Sequence, residues 1–188
     1  MLKKSEIFIL MYFCILLFCS VKPYEQQIVL PAETVMRIYE IEQERCLVPP
    51  MRNVPERYKA MFADASLSAG IPPGVLEAIA DVESNFKPWA QSPARNDGHS
   101  DQGMFQFNNK YHKWYSDNYN DGVLFDPFNP HEAIRIAALH IKFLYERYGH
   151  WPDVFMAYNA GMGRVDKNII PDSAYVYLSR IYRSTLCE

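Results

Sequence analysis

Residues 75–86 read VLEAIADVESNF. Val75, Ile79, Val82 and Phe86 recur at three- and four-residue spacing, which predicts a helix with one apolar stripe over the whole stretch. The preceding IPPG supplies a turn and a helix start. Two carboxylates, Asp81 and Glu83, stand near the far end. A helix turns about 100° per residue, so the two point roughly 200° apart and do not share a site. Glu83 follows Leu76 by seven residues and Ile79 by four, on the apolar side. Asp81 follows Glu77 by four, on a side that reads as a solvated charged face. An acid among apolar neighbours has its charged form disfavoured and its pKa raised. That property suits a general acid working near neutrality. Read in isolation, Glu83 is more simply a helix-end residue capping a neighbouring loop.

Working outward, helical signals dominate. Residues 31–46 form a loosely amphipathic helix, and LVPPMRNVP at 47–55 is a proline-marked linker. Residues 56–69 form a helix with Tyr58, Met61, Phe62 and Ala65 on one side, stopped by Gly70. Residues 87–129 are polar and aromatic, with NDG, DQG and NDG turn signals. Asn129-Pro130-His131-Glu132 opens a helix carrying Ile134, Ala138, Ile141, Leu144, Tyr145 and Tyr148, ended by Gly149. PDVFMAYNAG starts another that breaks at Gly161 and Gly163, and residues 173–186 make the last. The fold class is mainly α, a single domain with one short β-hairpin within residues 97–107. Three segments result: 1–22 as a leader or membrane anchor, 23–55 as a helical extension and linker, and 56–188 as the main domain.

The leader reading rests on a basic start and then IFILMYFCILLF, an apolar run at residues 7–18. The run is short for a membrane span and right for a signal-peptide core. A cleaved leader, lipidation at Cys19 and a retained anchor all export the rest of the chain. Export leaves Cys46 and Cys187 as a pair that either bridges the chain ends or stays as two thiols. A formal net charge of -3 argues against a nucleic-acid partner, whose footprint is a basic face. The five histidines form no metal-binding spacing, so neither metal nor cofactor is expected. Thirteen tyrosines suit polar ligands with apolar faces, sugars among them, and equally suit core rims.

VESNFKPWAQS, DQGMFQFN, AYNAGMGRV and PDSAYVYLSRI occur in that order. Together they resemble the lysozyme-like lytic transglycosylases, enzymes that cut bacterial peptidoglycan strands. The resemblance spans residues 57–182 and implies a lysozyme-like domain. It implies that Glu83 is the catalytic acid. Ser84 beside it would help fix the site and touch substrate, and Gln106 would contact the sugar near the cleaved bond. Tyr158 and Asn159 would line the cleft opposite the acid, and Tyr175 would bring its hydroxyl to the catalytic carboxyl. Phe105 stands where the family pattern has Met. NDGHSDQGMFQFN is longer than the plain turn and is similar to small specialised transglycosylases that accompany envelope-spanning assemblies.

Most glycoside hydrolases use two carboxylates. The motifs here hold one, with Asp97 and Asp101 in the glycine-rich loop as helpers at most. The resemblance therefore implies a one-acid route. Glu83 protonates the oxygen between N-acetylmuramic acid and N-acetylglucosamine, then takes the proton from the muramic O6 hydroxyl, giving a 1,6-anhydro product. A monomer acting on glycan strands in the periplasm or envelope is expected. Two alternatives stay open: a hydrolytic lysozyme of the same fold, and a non-catalytic peptidoglycan-binding protein.

Overall fold

The computed structural model describes residues 54–185. The leader, the expected helix at 31–46, most of the linker, Cys46 and Cys187 lie outside the described residues. In chain order the elements are α1 (Glu56–Ala69), α2 (Val75–Ser84), β1 (Asp101–Gln102), β2 (Phe107–Asn108), a 3-10 turn (Asn109–Tyr111), α3 (His112–Tyr119), α4 (Pro130–Tyr148), α5 (Trp151–Ala160), α6 (Met162–Val165) and α7 (Asp172–Thr185). The described residues are thus mainly helical with one two-stranded hairpin.

Helix α4 is the central post. It packs against α1 and α5 and also meets α2 and α3. Most of its length has a wide buried face, from Ala133 and Ile134 through His140 and Ile141 to Leu144. Its start has the expected chemistry. The Asn129 side chain accepts from the His131 N–H at 3.0 Å, Pro130 occupies the first turn, and Glu132 accepts from the Asn129 amide at 3.0 Å. Tyr145, expected on the inward face, is exposed.

Helix α1 buries Tyr58, Phe62, Ser66 and Ala69, and Gly70 ends it at φ 68°. Met61 and Ala65 are only partly covered, so the stripe runs one helical step away from the expected one. Helix α2 is shorter than the apolar pattern predicts. It ends at Ser84, because Asn85 and Phe86 both take positive φ, at 52° and 58°. Their N–H groups turn back onto the Asp81 and Ala80 carbonyls at 2.7 and 3.2 Å, a Schellman-like closure. Asparagine tolerates that backbone region, whereas phenylalanine seldom enters it. The Phe86 ring is buried edge-on to Phe62, 6.1 Å between centroids, which offsets the strain.

The hairpin pairs Asp101 with Asn108 and Gln102 with Phe107, and Gln91 adds a bridge to Gln102. At its turn, Gly103 has φ +77°, and a Cβ there would lie 1.9 Å from the Pro127 carbonyl oxygen. Only glycine fits. Helix α3 is not predicted by the sequence pattern. HKWYSDNY has no apolar stripe, and Ser116 is its one buried residue. The helix is held instead by aromatic edges: Tyr115 lies 5.0 Å from Phe107 and 5.1 Å from His140, and Trp114 lies 5.8 Å from His140. Finally, α7 packs against α2 and α5, which sets its inner face over the end of α2.

Candidate active site

Glu83 occupies the last turn of α2, on the helix face of the buried Leu76 and Ile79. Its surface is partly open, yet protein atoms crowd its carboxyl. Burial pushes its pKa from 4.5 up to about 7. Three groups modify that push: the Tyr177 hydroxyl lowers it, the Asp101 charge raises it, and the Arg180 charge lowers it.

Tyr177 corrects the expectation for Tyr175. Ala174, Tyr177, Leu178 and Ile181 form the buried stripe of α7, and Tyr175 lies off it, only partly covered. Two residues along a helix amount to roughly 200°, so when Tyr177 faces Glu83, Tyr175 cannot. The periodicity of α7 carries this signal. The Tyr177 hydroxyl is wholly buried. It is near enough to act on the Glu83 carboxyl, yet no partner among the described residues meets good hydrogen-bond geometry. An underused donor therefore stands beside the acid.

Helix α5 brings Tyr158. Its hydroxyl donates to the Phe105 carbonyl at 2.8 Å, and burial, with the Glu83 charge adding to it, raises its pKa. Asn159, next in the chain, is exposed. Ser84 is occupied by protein groups. Its Oγ lies 2.8 Å from the Met104 carbonyl and 3.2 Å from that of Ala80, and it accepts from the Lys87 N–H at 3.1 Å. Gln106 has φ 50° and donates from Nε2 to the Gly103 carbonyl at 2.8 Å and to that of Ala90 at 3.2 Å. Ser84 thus ties the hairpin turn to the end of α2, and Gln106 ties it to the loop at Ala90.

The two loop acids part company. Asp97 is exposed and accepts from the His99 N–H, 3.2 Å away. Asp101 acts on Glu83, but its oxygens are engaged: one pairs with Arg95 and the other accepts from the Asn108 amide at 2.8 Å. Asp81 and Glu77 do not form the bare solvated face expected. Burial raises both, Glu77 accepts from the Gly74 N–H at 3.1 Å, and Arg180 opposes the rise at Asp81. That face lies partly under α7. Tyr115 is absent from the sequence-derived site because α3 is. Burial raises its pKa, and the Tyr111, Asp101 and Glu83 charges add to the rise.

Residues 60–175 match the family model of the transglycosylase SLT domain. The chain belongs to this family. The SLT domain is 32% identical over 115 residues to the peptidoglycan transglycosylase gp16 of Escherichia phage T7, covering 61% of this chain and 8% of the phage protein. Among solved structures it superposes on the lytic transglycosylase Slt of Pseudomonas aeruginosa, determined as an inactive Glu-to-Gln mutant. The TM-score is 0.59 at 20% identity, covering 70% of this chain and 24% of that one. That likeness supports the lysozyme-like fold. The chain therefore spans a small part of either relative's length.

Proposed function

We propose that this protein is a peptidoglycan lytic transglycosylase in which Glu83 acts first as acid and then as base. One observation carries the reading: a carboxyl at the end of an apolar helix face, poised at about 7 by burial. A residue that donates and then accepts a proton works best when its pKa lies near ambient pH. The substrate class comes from the family and from the curated relative, a peptidoglycan transglycosylase.

In this reading the scissile β-1,4 bond lies over Glu83. Glu83 donates its proton to the oxygen leaving from the muramic anomeric carbon. The neighbouring N-acetyl carbonyl supports the oxocarbenium-like centre. The carboxylate then takes the proton of the muramic O6 hydroxyl, and that oxygen closes onto the anomeric carbon. The net change breaks one C–O bond and forms another without consuming water. Tyr177 steadies the carboxylate during the second half. Ser84, Gln106, Tyr158 and Asn159 shape the cleft, with Ser84 and Gln106 acting through the loop they hold.

Asp101 bears on the hydrolytic alternative. Each of its oxygens already accepts one hydrogen bond, from Arg95 and from Asn108, so a water would have to share an oxygen with one of them. The proposal extends to residues 1–22 as an export leader or anchor, to 23–55 as an extension, to 56–188 as a monomeric catalytic domain, and to envelope residence, with an envelope-spanning assembly as a further partner. Among the described residues, no helix is long and apolar enough to cross a membrane.

Mass spectrometry of muropeptides released from purified sacculi tests the chemistry. Fragments ending in 1,6-anhydro-muramic acid are expected. Products heavier by one water would assign hydrolysis instead, and an unchanged sacculus would leave a binding protein. Glu83→Gln is expected to abolish release while the protein stays folded.

A further inference from the structure

Helix α2 ends without a charged side chain in its last turn to meet its carbonyls, apart from the two acids. The final carbonyls of a helix have no partner within it and carry the negative end of its dipole. Asp81 and Ala80 are closed by the Asn85 and Phe86 N–H groups. The Val82 carbonyl, one residue before Glu83, is met from another element: Arg180 Nη2 donates to it at 2.9 Å across 98 residues of sequence.

Arg180 and Tyr177 are three residues apart on α7 and so share a helix face. That face therefore delivers two groups to the end of α2, a hydroxyl beside the Glu83 carboxyl and a cation on the adjacent backbone. Other elements also address Glu83: Asp101 from β1, Tyr158 from α5 and Tyr115 from α3. Arg180 is the one cation among these groups.

We propose that Arg180 is a positioning residue for Glu83, bracing the last turn of α2 through the Val82 carbonyl and holding a positive charge that favours the carboxylate. The inference rests on the acid–base reading of Glu83. In the resting enzyme, burial and Asp101 favour the protonated form of Glu83. Once the proton has left, the charge at Arg180 stabilises the carboxylate until O6 returns a proton. The charge effects have the same sense: Arg180 lowers Glu83 and Asp81, against burial in each case. Arg180 is exposed, so solvent and salt soften its influence without removing it.

The test is a carbon-13 titration of the Glu83 side-chain carboxyl in the full chain, assigned by its loss in Glu83→Gln. It is paired with pH profiles of glycan release. Arg180→Gln is expected to raise the Glu83 midpoint by about half a pH unit and to move the alkaline limb of kcat/KM with it. Arg180→Lys, which keeps the charge, should hold both near their wild-type positions. Should Arg180→Gln not fold, Arg180→Met removes the same charge and is expected to raise the midpoint likewise. A midpoint unmoved in whichever neutral variant folds would overturn the proposal, as would equal shifts in the neutral and Lys variants. If the wild type releases no glycan, the lytic reading fails, while the carboxyl titration still judges Arg180.

Discussion

The Tyr158 hydroxyl donates to the Phe105 carbonyl at 2.8 Å, joining α5 to the hairpin turn across 53 residues of sequence. The same turn is held from the other side by Ser84, whose Oγ meets the Met104 carbonyl at 2.8 Å. Two successive carbonyls of one turn are thus fixed by side chains from α2 and α5. Tyr158→Phe removes one tie and leaves a carbonyl unpaired. A loss of about 1 kcal/mol in stability and roughly tenfold in kcat/KM is expected, measured by calorimetry and by glycan turnover. Unchanged turnover would make the tie merely structural.

Glu83 stores an opposite kind of energy. Its folded pKa, about 7, lies above the ordinary 4.5, so the folded protein binds the extra proton in between. The favourable contribution of the protonated form is complete below 4.5 and is lost as pH rises toward 7. Glu83→Gln mimics the neutral form. It is expected to match the wild type at pH 4 and to exceed it in stability at pH 8, by at most roughly 3 kcal/mol. Equal melting temperatures at pH 8 would mean that Glu83 is not held protonated by burial.

Tyr177 and Tyr175 separate cleanly by substitution. The Tyr177 hydroxyl lowers the Glu83 pKa, so Tyr177→Phe should push the alkaline limb of the rate profile to higher pH. Because that hydroxyl lacks a well-formed partner, its removal should cost little stability. Tyr175→Phe should leave the profile in place. The reverse pattern would restore Tyr175 as the residue that meets the acid.

Gly103 allows no side chain. With φ at +77° and a Cβ position 1.9 Å from the Pro127 carbonyl oxygen, Gly103→Ala must displace backbone. A loss of about 3 kcal/mol or more is expected, read as a lower denaturant midpoint. A midpoint within about 1 kcal/mol of wild type would show that the turn can shift freely.

His140 is buried amid aromatic rings, its Nδ1 3.1 Å from the Tyr119 hydroxyl, and burial lowers its pKa from 6.5 to about 4. The unfolded chain takes up a proton between those values while the folded one resists. The contribution of His140 should therefore fall as pH drops from 6.5 toward 4, opposing the gain from Glu83 over the same range, and stay constant above 6.5. Relative to wild type, His140→Gln should gain stability as pH drops through that window in a melting series, and a pH-independent difference would place the effect elsewhere.

Much of the fold is readable from residue order. The caps of α4 at Asn129 and Pro130, the glycine stops at Gly70 and Gly149, and the placing of Glu83 on the Leu76–Ile79 face are local, three- and four-residue facts. Helix α3 is unreadable because its support comes from Phe107, Phe125 and His140, brought in by other elements, and not from a stripe of its own. The early end of α2 is hidden for a similar reason. Phe86 fits the apolar spacing, but its ring reaches Phe62 only by leaving the helix.

By itself, the order of residues determined the helical character, the position of the hairpin and the one acid on an apolar face, since backbone propensity and periodicity act over a few neighbours. The tertiary structure alone decided that Tyr177 stands beside Glu83, that Arg180 braces the carbonyl before it, and that Asp101 is already committed. Each of these depends on helices crossing at particular rotations, and a helix rotated by two residues presents a different side chain to the same acid.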